Sequence, residues 1–157
     1  MAFIAALSGE VFYRYGPYEE LLPQWFLSGF ARTLVAELDD RPIGYVMLGM
    51  NKKWGNSVKI AELLAIAVDP HHCRCGVGEQ LMRELIEMAE TLKVEILILH
   101  TGVRNLHAQK LFRKHGFSPV GIKDSFYQEG QRALMMEKKM SHFPTSRSVP
   151  DDAQYLQ

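Results

Sequence analysis

The sequence predicts an α/β fold, a mixed β-sheet flanked by helices, and three observations predict it. First, an apolar, β-branched run from Leu63 to Val68 stops at Asp69-Pro70. A long amphipathic stretch then opens behind Gly76-Val77-Gly78. That is the order strand, short glycine-bearing loop, helix. Second, strand-like patterns come as a run in the first half and alternate with a helical pattern afterwards. Third, a chain of 157 residues that is 47% hydrophobic suits one domain with a sizeable core.

The elements follow in order. Residues 3–15 read as a helix with Leu7, Val11 and Tyr15 on one face, broken by Gly16-Pro17. Residues 18–27 form a second helix, with Leu21, Leu22, Trp25 and Phe26 at helical spacing. Residues 33–38 are a strand, Asp39 to Pro42 a turn, and residues 43–50 a second strand. A polar loop, 51–56, carries Lys52, Lys53 and Trp54 before a third strand at 59–68. Val77, Leu81, Leu85, Met88 and Leu92 then make an apolar stripe along a helix. A strand at 94–101, a helix at 106–115 and a strand at 118–126 follow. Gln128-Glu129-Gly130 turns the chain into the last strand, 132–139. The domain spans 1–140, and 141–157 is a polar tail with Pro144 and Pro150.

Composition excludes several classes of function. The formal net charge is +0, which argues against a nucleic-acid partner. No apolar segment reaches the roughly 18 residues that span a bilayer. The first residues lack a basic stretch, and Ser8-Gly9-Glu10 ends the apolar run early, so no signal peptide is expected. Cys73 and Cys75 are too close for an easy disulfide. A cytoplasmic protein is the expectation.

The loop at 69–79 points to a phosphorylated ligand. A helix N-terminus presents unpaired N–H groups and the positive end of the macrodipole. Glycines there let the backbone close on an anion. Two common phosphate loops fail the test. Gly78 is followed by Glu79-Gln80 where a Walker loop needs Lys-Ser/Thr, and Leu81 stands where the dinucleotide fingerprint needs its third glycine.

Downstream, residues 101–117 read Thr-Gly-Val-Arg-Asn-Leu-His-Ala-Gln-Lys-Leu-Phe-Arg-Lys-His-Gly-Phe. With Val68-Asp69-Pro70 and Gly76-Val77-Gly78, the matches at Asn105, Ala108, Leu111, Gly116 and Phe117 make the chain resemble the GNAT superfamily of N-acetyltransferases. Order and spacing hold across 43–139. The resemblance implies a GNAT-like sheet and acetyl-CoA as co-substrate. The family begins with a strand before the first helix, whereas this chain starts inside or just before that helix. The first edge strand is therefore absent, or the start site is placed late. Dimerisation, giving a homodimer, or the C-terminal tail would cover the edge so exposed.

The resemblance also distributes roles. The backbone of Ile66, Ala67 and Val68 would carry the pantetheine arm, with a bulge in that strand offering an amide to the thioester carbonyl. Arg74, Cys75, Gly76, Val77, Gly78 and Glu79 would wrap the pyrophosphate. Asn105 would anchor the arm, and Arg104 or Lys110 would meet a CoA phosphate. Glu62, four residues before Ile66 on the same strand, is the candidate base; the plainer reading is a solvent-facing carboxylate. The family's acid is a tyrosine where this chain has Phe112, which donates no proton. Tyr127, His107 or a water remain as donors, or the thiolate leaves unprotonated. Phe112 is expected to pack.

His71, His72, Cys73 and Cys75 cluster, but the second ligand pair of a structural zinc site is missing, so no metal is expected. The acceptor is a small-molecule amine or a peptide amine. Ser125 to Gly130 resembles the aromatic loop of protein N-terminal acetyltransferases, without the acidic residue that follows it there. A CoA-binding module without catalysis is the alternative function.

Overall fold

The structure, a computed structural model, describes residues 1–50 and 58–141. The expected loop at 51–56 and nearly all of the tail at 141–157 lie outside the described residues. The order is α1 (Ala2–Phe12), α2 (Tyr18–Leu27), β1 (Ala31–Leu38), β2 (Arg41–Met50), β3 (Ile60–Val68), α3 (Val77–Thr91), β4 (Ile96–Gly102), α4 (Leu106–Lys114), β5 (Ser118–Lys123) and β6 (Ala133–Lys139). A 3-10 turn, Pro70–His72, lies between β3 and α3. None of the described helices is long and apolar enough to cross a membrane.

The sheet runs β1-β2-β3-β4-β6-β5. Among the described strands only β3 and β4 pair in parallel, as a crossover through α3 requires. The first described element is α1, and among the described residues β1 pairs with β2 and no other strand lies outside it. The turn between β1 and β2 is tight because Asp39 and Asp40 both take positive φ, 49° and 59°, as a two-residue hairpin turn demands. At the other edge, β5 ends at Lys123, three residues short of the expected strand end. Ser125 at φ 49° bends the chain away, so Phe126 and Tyr127 sit in a turn rather than in the sheet.

Two cores sit on opposite faces. The larger packs Leu81, Met82, Leu85 and Ala89 of α3 and Phe112 of α4 against Leu97, Leu99 and Met136. The buried side of α3 thus follows the expected stripe, centred on Leu81 and Leu85. The smaller joins Ile4 and Leu7 of α1 and Leu22 of α2 to Tyr45, Met47, Ala65 and Ala67. Ser8 of α1 reaches across to the Tyr45 hydroxyl at 2.8 Å. Burial pushes the Tyr45 phenol up to about 12, against the pull of that bond.

A bulge in β3 links sequence to site. Leu48 pairs with Leu63 and Met47 with Ala65, leaving Leu64 as the extra residue. Before it, Ala61 and Leu63 face the α3 core; after it, Ala65 and Ala67 face α1 and α2. The inserted residue shifts the alternation by one, so Glu62 falls on the α1/α2 face with Ile60.

Candidate active site

β3 and β4 pair only from Ile60↔Ile96 to Leu63↔Leu99. β3 then continues to Val68 against β2 alone, while β4 runs on to Gly102 toward β6. The two strands part just past Glu62, opening a cleft lined on one side by the backbone of 64–68. The bulge lies at Leu64, at the entrance to this stretch and upstream of Ile66 to Val68.

At the inner end of the cleft sits a buried acid–base pair. His100 Nδ1 lies 2.8 Å from Glu62 Oε1, with side chains 4% and 10% exposed. With Glu62 ionised, Nδ1–H donates and the carboxylate accepts. Glu62 is therefore not a solvent-facing strand residue. Phe126 stacks on the His100 ring at 4.4 Å and 13°. Tyr127 meets Phe126 edge-on at 5.0 Å, and Tyr15 meets Tyr127 at 4.6 Å. Burial raises the Tyr127 phenol far above its ordinary range, helped by Tyr18, Tyr15 and the Glu62 charge. Burial raises Tyr18 too, with Glu62 as the second cause. Both phenols are therefore protonated at neutral pH.

Nothing in the sequence reading singled out as site residues His100, Tyr18, which feels the Glu62 charge, or Tyr15, which packs on Tyr127. A signal existed: His100 interrupts the apolar run Ile96-Leu97-Ile98-Leu99, and a histidine inside a strand buried on both faces needs a polar partner.

The cofactor-side residues are placed as follows. Gly76 precedes α3 at φ 80°, and no side chain caps the helix's first N–H groups. A Cβ on Gly76 would meet nothing within 4 Å, so its glycine serves the left-handed backbone. Arg74 shares that conformation at φ 65°. Gly78 differs: it lies inside α3 without positive φ, and a Cβ there would meet Leu111 and Val68 at 3.7 and 3.8 Å, ordinary contact. We therefore expect Gly76→Ala to lower stability by about 1 kcal/mol, and Gly78→Ala to leave it unchanged or slightly raised. Thermal melts of the two variants check the opposite signs.

Val77 begins α3, and Glu79 pairs with Lys114 across to α4, which lowers its carboxyl below the usual range. Cys73 and Cys75 are free and exposed, and among the described residues no group of three or more ligands could hold a metal. Asp69 caps the 3-10 turn, accepting from the His71 N–H at 2.8 Å, and that bond lowers its carboxyl. Asn105 caps α4 by accepting from the Ala108 N–H at 3.2 Å. Phe112 is buried in the larger core against Phe117, so packing is its role.

Comparison with known proteins agrees with this architecture. Residues 3–117 match the model of the Acetyltransferase (GNAT) family. An N-alpha-acetyltransferase of Sulfurisphaera tokodaii is 31% identical over 115 residues, 68% of either chain. The crystal structure of a ribosomal-protein-alanine N-acetyltransferase from Brucella melitensis superposes with a TM-score of 0.65 at 27% identity, covering 77% of this chain and 75% of that one. A GNAT acetyltransferase of Elizabethkingia anophelis with acetyl-CoA bound has the same fold, with a TM-score of 0.69 at 20% identity over 81% and 86% of the two chains. With a family match over most of its length laid on a sheet that splits beside a buried acid–base pair, this chain belongs to the GNAT acetyltransferase family.

Proposed function

We propose that the protein transfers an acetyl group from acetyl-CoA to a primary amine by direct attack in a ternary complex, with a peptide or protein α-amine as the favoured acceptor. The observation that carries this reading is the Glu62–His100 pair, buried where β3 and β4 part and walled by aromatic rings. The names of the relatives and the aromatic loop at 126–127 support a peptide over a small amine.

The residues fit acetyl-CoA. Among the described residues no strand pairs with the cleft side of β3 beyond Leu63, so its amides and carbonyls suit an extended amide-bearing arm. The uncapped start of α3 suits a pyrophosphate. When bound, acetyl-CoA supplies the acetyl group as an activated thioester. Ile66, Ala67 and Val68 would hold the arm through their backbone. Residues 74–79 would hold the phosphates.

The chemistry of the chain's own groups follows. An amine attacks only when neutral, and at pH 7 it arrives protonated. Glu62 takes that proton, directly or through one water, while His100 fixes the carboxylate's direction. Packing against Phe126 fixes the imidazole in turn. Tyr127, whose phenol burial raises, is the candidate donor to charge developing at the reacting centre. Phe112 supplies no proton.

Acetyl-CoA at 100 times its Kd should stabilise the protein by about 2.7 kcal/mol, a rise in Tm of several degrees. No shift at millimolar acetyl-CoA, with the fold intact, overturns the reading. A shift without acetylation of any peptide or amine in a broad panel indicates the non-catalytic binding module instead, which the phenylalanine at 112 would favour.

A further inference from the structure

The aromatic wall of the acceptor face closes on itself. From His100 the contacts run to Phe126, to Tyr127 and to Tyr15. Tyr15 then returns to β4 at Gly102, two residues beyond His100 on the same face, about 6.6 Å along the strand. The seat on Gly102 is tight. A Cβ there would lie 2.6 Å from the Tyr15 hydroxyl oxygen and 2.9 Å from ring atom Cε1. Gly102 does not have a positive φ, so its backbone conformation does not call for glycine. The Tyr15 ring is the group that a side chain at 102 would displace.

Both partners are held in place. The Gly102 carbonyl accepts from Asn105 N–H at 2.8 Å and from Gln109 Nε2 at 3.2 Å, which ties the end of β4 to the start of α4. The loop of Tyr15 is tied to the β5–β6 turn, because Gln131 Nε2 donates to the Arg14 carbonyl. A rigid ring is thus clamped between a fixed strand end and Tyr127, beside the Glu62–His100 pair.

We propose that Tyr15 is the acceptor-selecting residue of the site: seated on Gly102 and capped by Tyr127, it sets the room left for the group that the reacting amine carries. The proposal rests on the acetyl-transfer reading above. An aromatic wall backed by a strand end does not give way, so bulk on the acceptor beyond what the wall leaves is rejected. Truncating Tyr15 opens a space continuous with the pocket, whereas removing its hydroxyl alone leaves the ring on its seat.

The test is acetylation of a tetrapeptide panel whose first residue grows from Gly through Ala, Ser and Met to Phe. kcat and KM are read separately for peptide and for acetyl-CoA. Tyr15→Ala should shift the kcat/KM ratio of Phe-first to Ala-first peptides by about 10-fold or more. The KM for acetyl-CoA should stay within about two-fold. Tyr15→Phe should keep the wild-type ratio. Gly102→Ala should change the ratio alone, yet add nothing in the Tyr15→Ala background, because the two residues act through one contact. Tyr15→Leu runs beside Tyr15→Ala, so that a loss of fold in one variant does not decide the outcome. An unchanged ratio in folded, active Tyr15 variants overturns this role alone. Acetyl-CoA binding without turnover of any peptide by the wild type overturns the transfer reading and this role together.

Discussion

Glu62→Gln lowers kcat by about 100-fold or more and leaves the acetyl-CoA-induced rise in Tm intact. The amide keeps the shape of the carboxylate and can still meet His100, but it accepts no proton. Glu62 lies on the α1/α2 face, away from the segments proposed to contact acetyl-CoA at 66–68 and 74–79, so those contacts should be untouched. Single-turnover rates from pre-bound acetyl-CoA separate the chemical step from binding. An unchanged rate from pH 6 to 9 would remove Glu62 from the mechanism and leave its burial beside His100 as a packing feature.

Phe112→Ala lowers stability by about 3–5 kcal/mol, seen as a fall in Tm on the order of 10 °C. The ring is 3% exposed and packs edge-on against Phe117 between α4 and the sheet. Its loss leaves a cavity in the larger core, because α3 and the sheet cannot close over it. Phe112→Tyr tests the chemistry rather than the packing. It should change the rate by only a few-fold, because the mechanism proposed above uses no tyrosine acid at this position. A large gain in rate over an inactive wild type would instead mark the chain as a binding module that had lost its acid. Denaturant melts and initial rates on the same two variants read both effects.

How much of the site was legible depends on the range of the interactions that build it. The cofactor side is local. Val68-Asp69-Pro70, Gly76 and the stripe through Leu81 and Leu85 encode strand end, turn and helix within about twenty residues of chain, and the structure places each as expected. Asn105 was legible in position, and its capping bond to Ala108 is equally local. Of the two glycines, Gly76 has the left-handed backbone, while a Cβ on Gly78 would make only ordinary contact with Leu111 and Val68. Phe112 as a packing residue was also legible, because a phenyl ring has no other chemistry to offer.

The acceptor side is non-local. Glu62 and His100 are 38 residues apart, and their pairing depends on a parallel register. The bulge at Leu64, just past Glu62, then lets the same strand turn Ala65 and Ala67 to that face. No periodicity reveals one inserted residue, since alternation on either side of it is intact. Tyr15 and Tyr127 meet because two loops far apart in sequence fold over one strand end. The sequence by itself determined the family, the order of the elements and the glycine-bearing turn that opens α3, because local motifs, short-range backbone geometry and hydrophobic period specify them. Only the tertiary structure decided that Glu62 is buried against His100 and that Tyr15 closes on Gly102. Such contacts exist only once strands from distant parts of the chain have chosen their register and desolvated the groups between them.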